Sequence, residues 1–246
     1  MAMIPKIIHY CWFGGAEKNK DVRKCISSWQ KILPDYEIKE WNEENFDIST
    51  SCDYVKEAYQ RKKWAFVTDY VRLFVLYKYG GIYLDTDVMV IKSFNPLLTN
   101  KAFMCAESQF SICTATIGAT KNSKLIGRIL DLYKGKHFVH QNGRIDETPN
   151  SQLIYNMLIK EDNYQFDTKI FTAKDYVIYP TEFFSPINCY TMKIKISPNT
   201  YSIHYYAGTW KTSRSKIKNQ IEALITRIIG ERNRQKIKRL ICNIRK

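Results

Sequence analysis

The stretch that decides the fold is KYGGIYLDTDVMV, residues 78–90, in which an apolar run leads directly into two carboxylates. Ile82, Tyr83 and Leu84 favour a short buried strand, whereas Asp is a poor strand former. Asp85 and Asp87 stand one residue apart, and two like charges this close raise each other's energy unless a cation or solvent compensates. Two interpretations follow: the acids are solvated in a turn, or the pair holds a metal ion.

The segments around this stretch alternate between strand and helix patterns. The predicted elements up to about residue 95 are strands over residues 7–12, 35–41 and 82–84 and helices over 21–33, 54–63 and 64–79. This alternation predicts an α/β fold with a largely parallel sheet. Further along, the spacing of apolar residues predicts helices over 124–133 and 151–159, and residues 193–203 favour two extended pieces around Pro198.

The helix over residues 64–79 has an apolar stripe and a polar pair on another face. The stripe consists of Phe66, Tyr70, Leu73, Phe74 and Tyr77, and Gly80-Gly81 supply the left-handed end that helices favour. Asp69 and Arg72 are three residues apart and share a face roughly opposite the stripe. That face is predicted to look toward Asp85, where the pair would bind sugar hydroxyls. A helix-surface salt bridge is the alternative.

Two carboxylates with open positions between them suit Mg²⁺ or Mn²⁺, which keep waters and take substrate phosphates as further ligands. In a regular strand, Asp85 and Asp87 would face the same way with Cα atoms about 6.6–6.8 Å apart. One ion can reach both only where the strand bends or ends. Ligand sites in open α/β sheets lie at such carboxyl ends of strands.

Three segments of the chain together resemble one family. AFVTDYVRLFVLYKYGGIYLDTDV, residues 65–88, resembles the signature of glycosyltransferases with a DXD sugar-binding region, which include bacterial capsular-polysaccharide transferases, yeast initiating mannosyltransferases and clostridial glucosylating toxins. IPKIIHYCWFGG, residues 4–15, resembles the opening strand of that family. SIHYYAGTWK, residues 202–211, resembles its closing H-x-x-x-x-[ST]-W motif.

The resemblance implies a GT-A fold, a nucleotide-sugar donor, bound Mn²⁺ or Mg²⁺ and retention of anomeric configuration. Asp85 and Asp87 match the metal-binding acids, and His204 matches the residue that completes the metal shell. Asp69 and Arg72 match positions that hold the donor sugar. No dedicated nucleophile stands at a motif position, so attack assisted by the departing phosphate is expected.

The remaining site residues concern the nucleotide and the acceptor. Trp12 matches an aromatic that stacks on the base, with core packing as the alternative, while Thr209 and Trp210 match the segment at the diphosphate. On the acceptor side the candidates are Glu147, Asn150 and Gln152 in the segment DETPNSQ, which also fits a capped helix start. His9, inside a predicted strand, is expected to pack in the core.

The charge of the chain is concentrated at its end. Residues 211–246 contain twelve Lys and Arg against two acidic residues, so they carry most of the net charge of +14. Apolar residues at helical spacing make this tail a basic amphipathic element, and we expect it to contact a membrane surface. Docking on the core and binding of nucleic acid are the alternatives, although no nucleic-acid motif is present. The predicted division is a catalytic domain over 1–210 and a tail over 211–246.

The composition narrows the protein class. Seven scattered Cys residues without a CxxC pair favour reduced thiols in the cytosol over a zinc cage or a disulfide framework. No segment is a secretory signal or approaches the length of a membrane span. We therefore expect a cytoplasmic protein, peripheral on the inner face of a bacterial membrane.

Three functions are compatible with parts of this sequence. A haloacid-dehalogenase-like phosphatase also places D-x-D after a strand, but the later G-D-x-x-x-D pair is missing. A basic lipid- or nucleic-acid-binding module leaves the four charged residues of the site unexplained. The predicted function is a metal-dependent retaining glycosyltransferase that moves a hexose or N-acetylhexosamine from a UDP-sugar to a capsule- or O-antigen-type glycan acceptor, expected to be lipid-linked. A GDP-sugar is an alternative donor.

Overall fold

The structure, a computed structural model, describes residues 3–208 together with residues 226 and 230. The strands within this part of the chain are β1 (Ile7–Cys11), β2 (Glu37–Trp41), β3 (Gly81–Leu84), β4 (Val88–Val90), β5 (Ala102–Ser108), β6 (Ser111–Ala119), β7 (Phe171–Thr172), β8 (Val177–Tyr179) and β9 (Ser202–His204). The α-helices are α1 (Lys20–Ile32), α2 (Asp53–Gln60), α3 (Trp64–Tyr79), α4 (Lys124–Asp131) and α5 (Asn150–Asp162). None of these helices is long and apolar enough to cross a membrane.

The central sheet has seven strands in the order β2-β1-β3-β6-β5-β8-β7. Only β6 and β7 run against the other five strands, so the predicted α/β fold with a largely parallel sheet is confirmed. A second sheet pairs β4 with β9, which joins the segment after Asp87 to a strand more than a hundred residues away. This small sheet brings β9, near the end of the segment 3–208, next to the strand that follows the two acids.

Helix α1 packs against strand β4 of the small sheet. Asn19 caps its first turn by accepting a hydrogen bond from the Val22 N–H, and the helix buries Val22, Cys25 and Trp29. The indole N–H of Trp29 donates to the Val88 carbonyl over 2.7 Å. The strand that follows the two acids is therefore fixed to the core by a buried hydrogen bond.

Helix α3 is buried on more sides than the predicted stripe allows. Val67, Val71 and Val75, which lie outside that stripe, are fully buried, whereas Tyr77 within it is 39% exposed. The predicted stripe packs in or against the core through Phe66, Tyr70, Leu73 and Phe74, but the buried surface is wider because α3 packs against the sheet, α2 and α4 at once. The face with Asp69 and Arg72 is consequently part of the buried surface.

The corner between α3 and β3 is made by two glycines, as the sequence predicts. Gly80 has φ of +69° and donates its N–H to the Leu76 carbonyl, which ends the helix. Gly81 has φ of +111° and begins β3. The turn is tight enough that the strand starts immediately and delivers Asp85 after four residues.

Past residue 95 the predictions are partly confirmed. The two predicted helices correspond to α4 and α5. The expectation of two extended pieces over 193–203 holds only in part, since the described strand there is β9, and Ile194 forms an isolated bridge with Ile187. The hairpin of β5 and β6 was not predicted. The tail lies outside the described residues apart from 226 and 230, so the division at residue 210 stays a prediction.

Candidate active site

Asp85 and Asp87 lie in the turn between β3 and β4. The Asp85 N–H donates to the Ala115 carbonyl on β6, and the Asp85 carbonyl accepts from the Val88 N–H. The side chains are only 27% and 16% exposed, respectively. The strand does end here, but the interpretation of two freely solvated acids is wrong, because each carboxylate is held by neighbouring protein groups.

Asp87 is held by the strand that pairs with β4. His204 lies opposite Val88 in the register of β4 and β9, and its Nε2 is 3.4 Å from Asp87 Oδ1. Asp87 Oδ2 accepts the Ala207 N–H over 2.8 Å. Burial, the largest single effect, would raise the pKa of Asp87, but the charge of His204 and the hydrogen bonds from His204 and the backbone N–H of Ala207 together lower it. Burial likewise opposes the charged form of His204, yet Asp87 holds its pKa well above the ordinary value.

Asp85, Asp87 and His204 form a set of ligands for one ion. Each offers one atom, and the three atoms lie within 4.8 Å of one another. Two carboxylates and one imidazole match the donor atoms that Mn²⁺ accepts, and they leave positions for substrate oxygens. The residues present therefore fit a divalent cation.

Arg72 orients Asp85 from inside the protein. Its Nη1 lies 3.2 Å from Asp85 Oδ1 and donates to the Thr114 carbonyl over 2.7 Å. The Tyr83 hydroxyl donates to the same Asp85 oxygen over 2.9 Å. The Arg72 side chain is only 6% exposed, so its charge acts on Asp85 at reduced screening by solvent.

Asp69 completes the ion-pair network of Arg72. Its Oδ1 lies 3.0 Å from Arg72 Nη2, and its Oδ2 accepts the backbone N–H of Asn150. Burial raises the pKa of Asp69 to about 6, against the opposing effect of Arg72. The helix-surface salt bridge is thus ruled out for this pair. Binding of the donor sugar by Asp69 and Arg72 stays a prediction, since the hydrogen bonds described for them go to protein groups.

The sequence of this region matches a known family model. Residues 19–104 match the model described as "Glycosyltransferase sugar-binding region containing DXD motif". The match covers about a third of the chain. It includes Asp69, Arg72, Asp85 and Asp87, whereas His204 lies beyond it and reaches the site through β9.

Relatives of the sugar-binding region are glycosyltransferases by name. Inositol phosphoceramide mannosyltransferase 3 of Schizosaccharomyces pombe is 32% identical over 135 residues, which cover 52% of this chain and 37% of that protein. The chain thus spans little more than a third of the length of this relative. An uncharacterized glycosyltransferase, L373, of Acanthamoeba polyphaga mimivirus is 25% identical over 78% of this chain and 76% of its own.

A solved structure has a fold similar to that of this chain. The PaToxG glycosyltransferase superposes with a TM-score of 0.51 at 20% identity, covering 65% of this chain and 69% of its own. At that identity the likeness concerns the fold, and it confirms the predicted GT-A architecture.

Trp12 follows β1 directly and precedes the region that matches the family model. Its ring is half-buried, its indole N–H donates to the Ala16 carbonyl, and Lys18 Nζ lies 5.5 Å from the ring centre. Stacking of this ring on a base stays a prediction, as do the roles of Thr209 and Trp210, which lie outside the described residues. His9 packs in the core as predicted: it is fully buried, and burial lowers its pKa to about 4.

The three acceptor-side candidates are separated by the structure. Glu147 and Gln152 are exposed and line a cavity of about 1320 Å³, with Glu147 paired to Lys63 over 2.7 Å. Asn150 is 2% exposed and begins α5, where its side chain accepts a hydrogen bond from Thr114. Asn150 therefore helps to hold Asp69 and Thr114 in place. Its side chain does not cap the helix. Contact of Glu147 and Gln152 with an acceptor stays a prediction.

Several residues at the site were missed by the sequence analysis. Tyr83 and Thr114 fix Asp85 and Arg72, and the Ala207 N–H fixes Asp87. Tyr206 packs its ring 4.0 Å from that of His204, with a φ of +55°. Tyr83 stands two residues before Asp85, so the strand period of two could have placed both side chains on one face. The other contacts depend on strand pairings that no local sequence pattern contains.

Proposed function

We propose that this protein is a metal-dependent, retaining glycosyltransferase that transfers a sugar from a nucleotide donor to a glycan. The observation that supports it is the convergence of Asp85, Asp87 and His204, with ligand atoms within 4.8 Å, at the end of a strand in the matched sugar-binding region. Retention of configuration rests on the resemblance of the sequence motifs.

The residues of the chain divide the work at this site. Asp85, Asp87 and His204 would hold the divalent cation, and when bound such an ion neutralises the charge that develops on a leaving nucleoside diphosphate. Arg72 orients the Asp85 carboxylate through its 3.2 Å contact. The Ala207 N–H and His204 do the same for Asp87. Both carboxylates are thus preorganised before a substrate arrives.

The proposed donor is a UDP-sugar carrying a hexose or N-acetylhexosamine, with the half-buried Trp12 ring as the platform for the base. The name of the fission-yeast relative, an inositol phosphoceramide mannosyltransferase, favours a second candidate in which the sugar is mannose and the donor a GDP-sugar. The same name supports an acceptor attached to a lipid. We propose a lipid-linked cell-surface glycan of a bacterium as the acceptor.

The basic tail is proposed to hold the enzyme at the cytoplasmic face of a membrane. Its twelve Lys and Arg residues would each gain about 1 kcal/mol near anionic lipid. The full chain should co-sediment with vesicles containing anionic lipid at low salt and should be released at high salt. Equal sedimentation with purely zwitterionic vesicles would contradict an electrostatic attachment.

The substitution Asp87→Asn tests the function at its central ligand. It keeps the shape of the side chain but removes the charge, so manganese-dependent hydrolysis of the donor should fall by at least about 100-fold. The matched control is Asp131→Asn, an exposed acid on α4 that pairs with Lys134, and it should retain full activity. Wild-type turnover in a folded Asp87→Asn protein would overturn the assignment. Hydrolysis of a simple phosphate ester by the wild type would favour the phosphatase alternative.

A further inference from the structure

A second group of ligand atoms lies beside the first and shares one residue with it. Glu107 on β5, Cys113 on β6 and His204 on β9 each offer one atom, and these three atoms lie within 4.8 Å of one another. The strands that carry them belong to both sheets, so tertiary structure alone assembles the group. We refer to these three residues as the thiolate cluster.

The backbone of β5 places Glu107 in this cluster. The pairing of β5 with β6 matches Ala106 to Ile112 and Ser108 to Ser111, and the register shift between them leaves Glu107 without a partner opposite. Such a bulge redirects a side chain, and bulges are frequent next to functional sites. Cys113 stands across from Cys105 in the same hairpin, and both thiols are fully buried. The hairpin thus directs one carboxylate and one thiol toward His204.

We propose that the thiolate cluster is a binding site for Zn²⁺ or a similar thiophilic divalent cation. Thiolate, imidazole and carboxylate are the ligands that zinc takes in proteins, and three of them leave a position for water. Binding would release two protons to solvent, one from the S–H bond of Cys113 and one from Nδ1 of the His204 imidazolium, since the thiolate and the neutral imidazole are the ligands. The negative charges of the Cys113 thiolate and the Glu107 carboxylate then balance the two positive charges of the ion.

His204 offers a nitrogen for this purpose. Its Nε2 faces Asp87 Oδ1 at 3.4 Å, whereas Nδ1 is buried and has no hydrogen-bond partner among the residues that the structure describes. A buried polar atom without a partner is unfavourable, and coordination to an ion would relieve that cost.

The shared imidazole couples the two groups of ligands. A neutral imidazole has a single lone pair for coordination because its other nitrogen carries the proton. An ion held by His204 in the thiolate cluster would therefore take this ligand away from Asp85 and Asp87. Zinc should weaken manganese-dependent binding of the nucleotide, and this consequence, unlike the thiolate cluster itself, rests on the proposed function.

Cobalt spectroscopy of the reduced full chain tests the cluster directly. Co²⁺ coordinated by a thiolate has a sulfur-to-metal charge-transfer absorption in the near ultraviolet, which Zn²⁺ abolishes when it displaces cobalt. We expect this band at one equivalent in the wild type and its loss in Cys113→Ser. Cys105→Ser is the matched control, because Cys105 is equally buried and faces Cys113, and it should retain the band. A protein without the band, or a Cys113→Ser protein that keeps it, would overturn the proposal.

A second variant covers the case in which Cys113→Ser does not fold, as judged by circular dichroism. Glu107→Gln removes a ligand without emptying the core, and it should weaken cobalt binding by at least about 10-fold. Unchanged affinity in this variant would overturn the three-residue cluster.

Competition calorimetry separates the two proposals. Zinc should weaken manganese-dependent nucleotide binding by about 10-fold or more in the wild type and in Cys105→Ser, but not in Cys113→Ser. Equal sensitivity to zinc in all three proteins would overturn the shared imidazole. If nucleotide fails to bind with manganese in every protein while the cobalt band persists, the proposed function is wrong and the thiolate cluster stands.

Discussion

Asp85 and Asp87 are neighbours in sequence but are held by different parts of the fold. Arg72 and Tyr83 hold Asp85 from the side of α3 and β3, whereas His204 and the Ala207 N–H hold Asp87 from the side of β9. Each acid thus has a positive group and a neutral donor of its own. This arrangement reduces the electrostatic repulsion between two like charges one residue apart, because each charge is compensated by its own neighbours.

At the residue scale, the identity of the acids was predictable and their partners were not. Aspartates at the end of an apolar run, with Asp69 and Arg72 on the preceding helix, suffice to suggest a metal site from sequence. The contacts of Asp85 with Arg72 depend on the rotation of a helix that is buried on several sides. Local periodicity placed the face of Arg72 correctly but could not show that it is buried.

Histidine 9 provides a prediction at the same scale. Its Nδ1 accepts the Trp41 indole N–H over 3.0 Å, and its Nε2 lies 2.8 Å from the Gly80 carbonyl. His9 should therefore be the neutral tautomer with the proton on Nε2, and burial keeps it neutral down to about pH 4. Nitrogen-detected NMR of the histidines would show this. His137, exposed beside Glu57 with a raised pKa, should take up a proton at a higher pH than His9, and a His9 midpoint near 6.5 would contradict the packing.

The lowered pKa of His9 makes the free energy of unfolding depend on pH. Between pH 4 and 6.5 the unfolded chain binds a proton on His9 that the folded chain does not, so His9 makes stability rise with pH across this range. The contribution is complete above pH 6.5, is lost as the pH falls toward 4, and amounts to about 3 kcal/mol. Urea unfolding of the wild type at several pH values measures the trend.

At the element scale, the corner between α3 and β3 determines where the acids lie. A Cβ at Gly81 would come within 2.7 Å of the Ile7 carbonyl oxygen and 2.9 Å of His9 Nε2. Gly143 also has a positive φ, but a Cβ there would meet nothing within 4 Å. The two positions therefore separate backbone strain from steric contact.

Substituting alanine at these two glycines should give unequal losses of stability. Gly143→Ala should cost about 1–2 kcal/mol through strain alone. Gly81→Ala should cost at least about 1 kcal/mol more, because the added methyl group must also displace strand β1. Urea unfolding measures both values, and equal losses would contradict the close approach of β1 and β3.

Elements formed by local contacts were predicted better than those formed by distant ones. Strands β1 to β3 and helices α1 to α3 follow from apolar periodicity and from the glycines that end α3. The pairing of β4 with β9 matches Val88 to His204, and the hairpin of β5 and β6 carries a bulge at Glu107. The β4–β9 register joins strands more than a hundred residues apart, and the β5–β6 hairpin turns at Gln109 and Phe110, which are not the residues that mark a hairpin turn, so the thiolate cluster could not be predicted.

At the scale of the whole molecule, His204, near the end of the segment 3–208, joins Asp85 and Asp87 from outside the region that matches the family model. The family model covers residues 19–104, yet Trp12 precedes it and His204 follows it. The sequence motifs at the two ends pointed to both residues because they were compared with a family as an ordered set; the structure brings His204 to the two acids, and the role of Trp12 stays a prediction. In this fold β1 is the second strand from one edge of the central sheet, next to β3, and β9 pairs with β4 just after the two acids.

The central claim is that Asp85, Asp87 and His204 hold a cation that binds a nucleoside diphosphate. Its most direct test is calorimetric titration of UDP and of GDP into the full chain with Mn²⁺ and again with EDTA, using Asp87→Asn and Asp131→Asn as the matched pair. We predict micromolar binding of one nucleotide to the wild type and to Asp131→Asn, lost with EDTA and in Asp87→Asn. Binding that persists in EDTA, or failure of both nucleotides to bind with manganese, would contradict the claim.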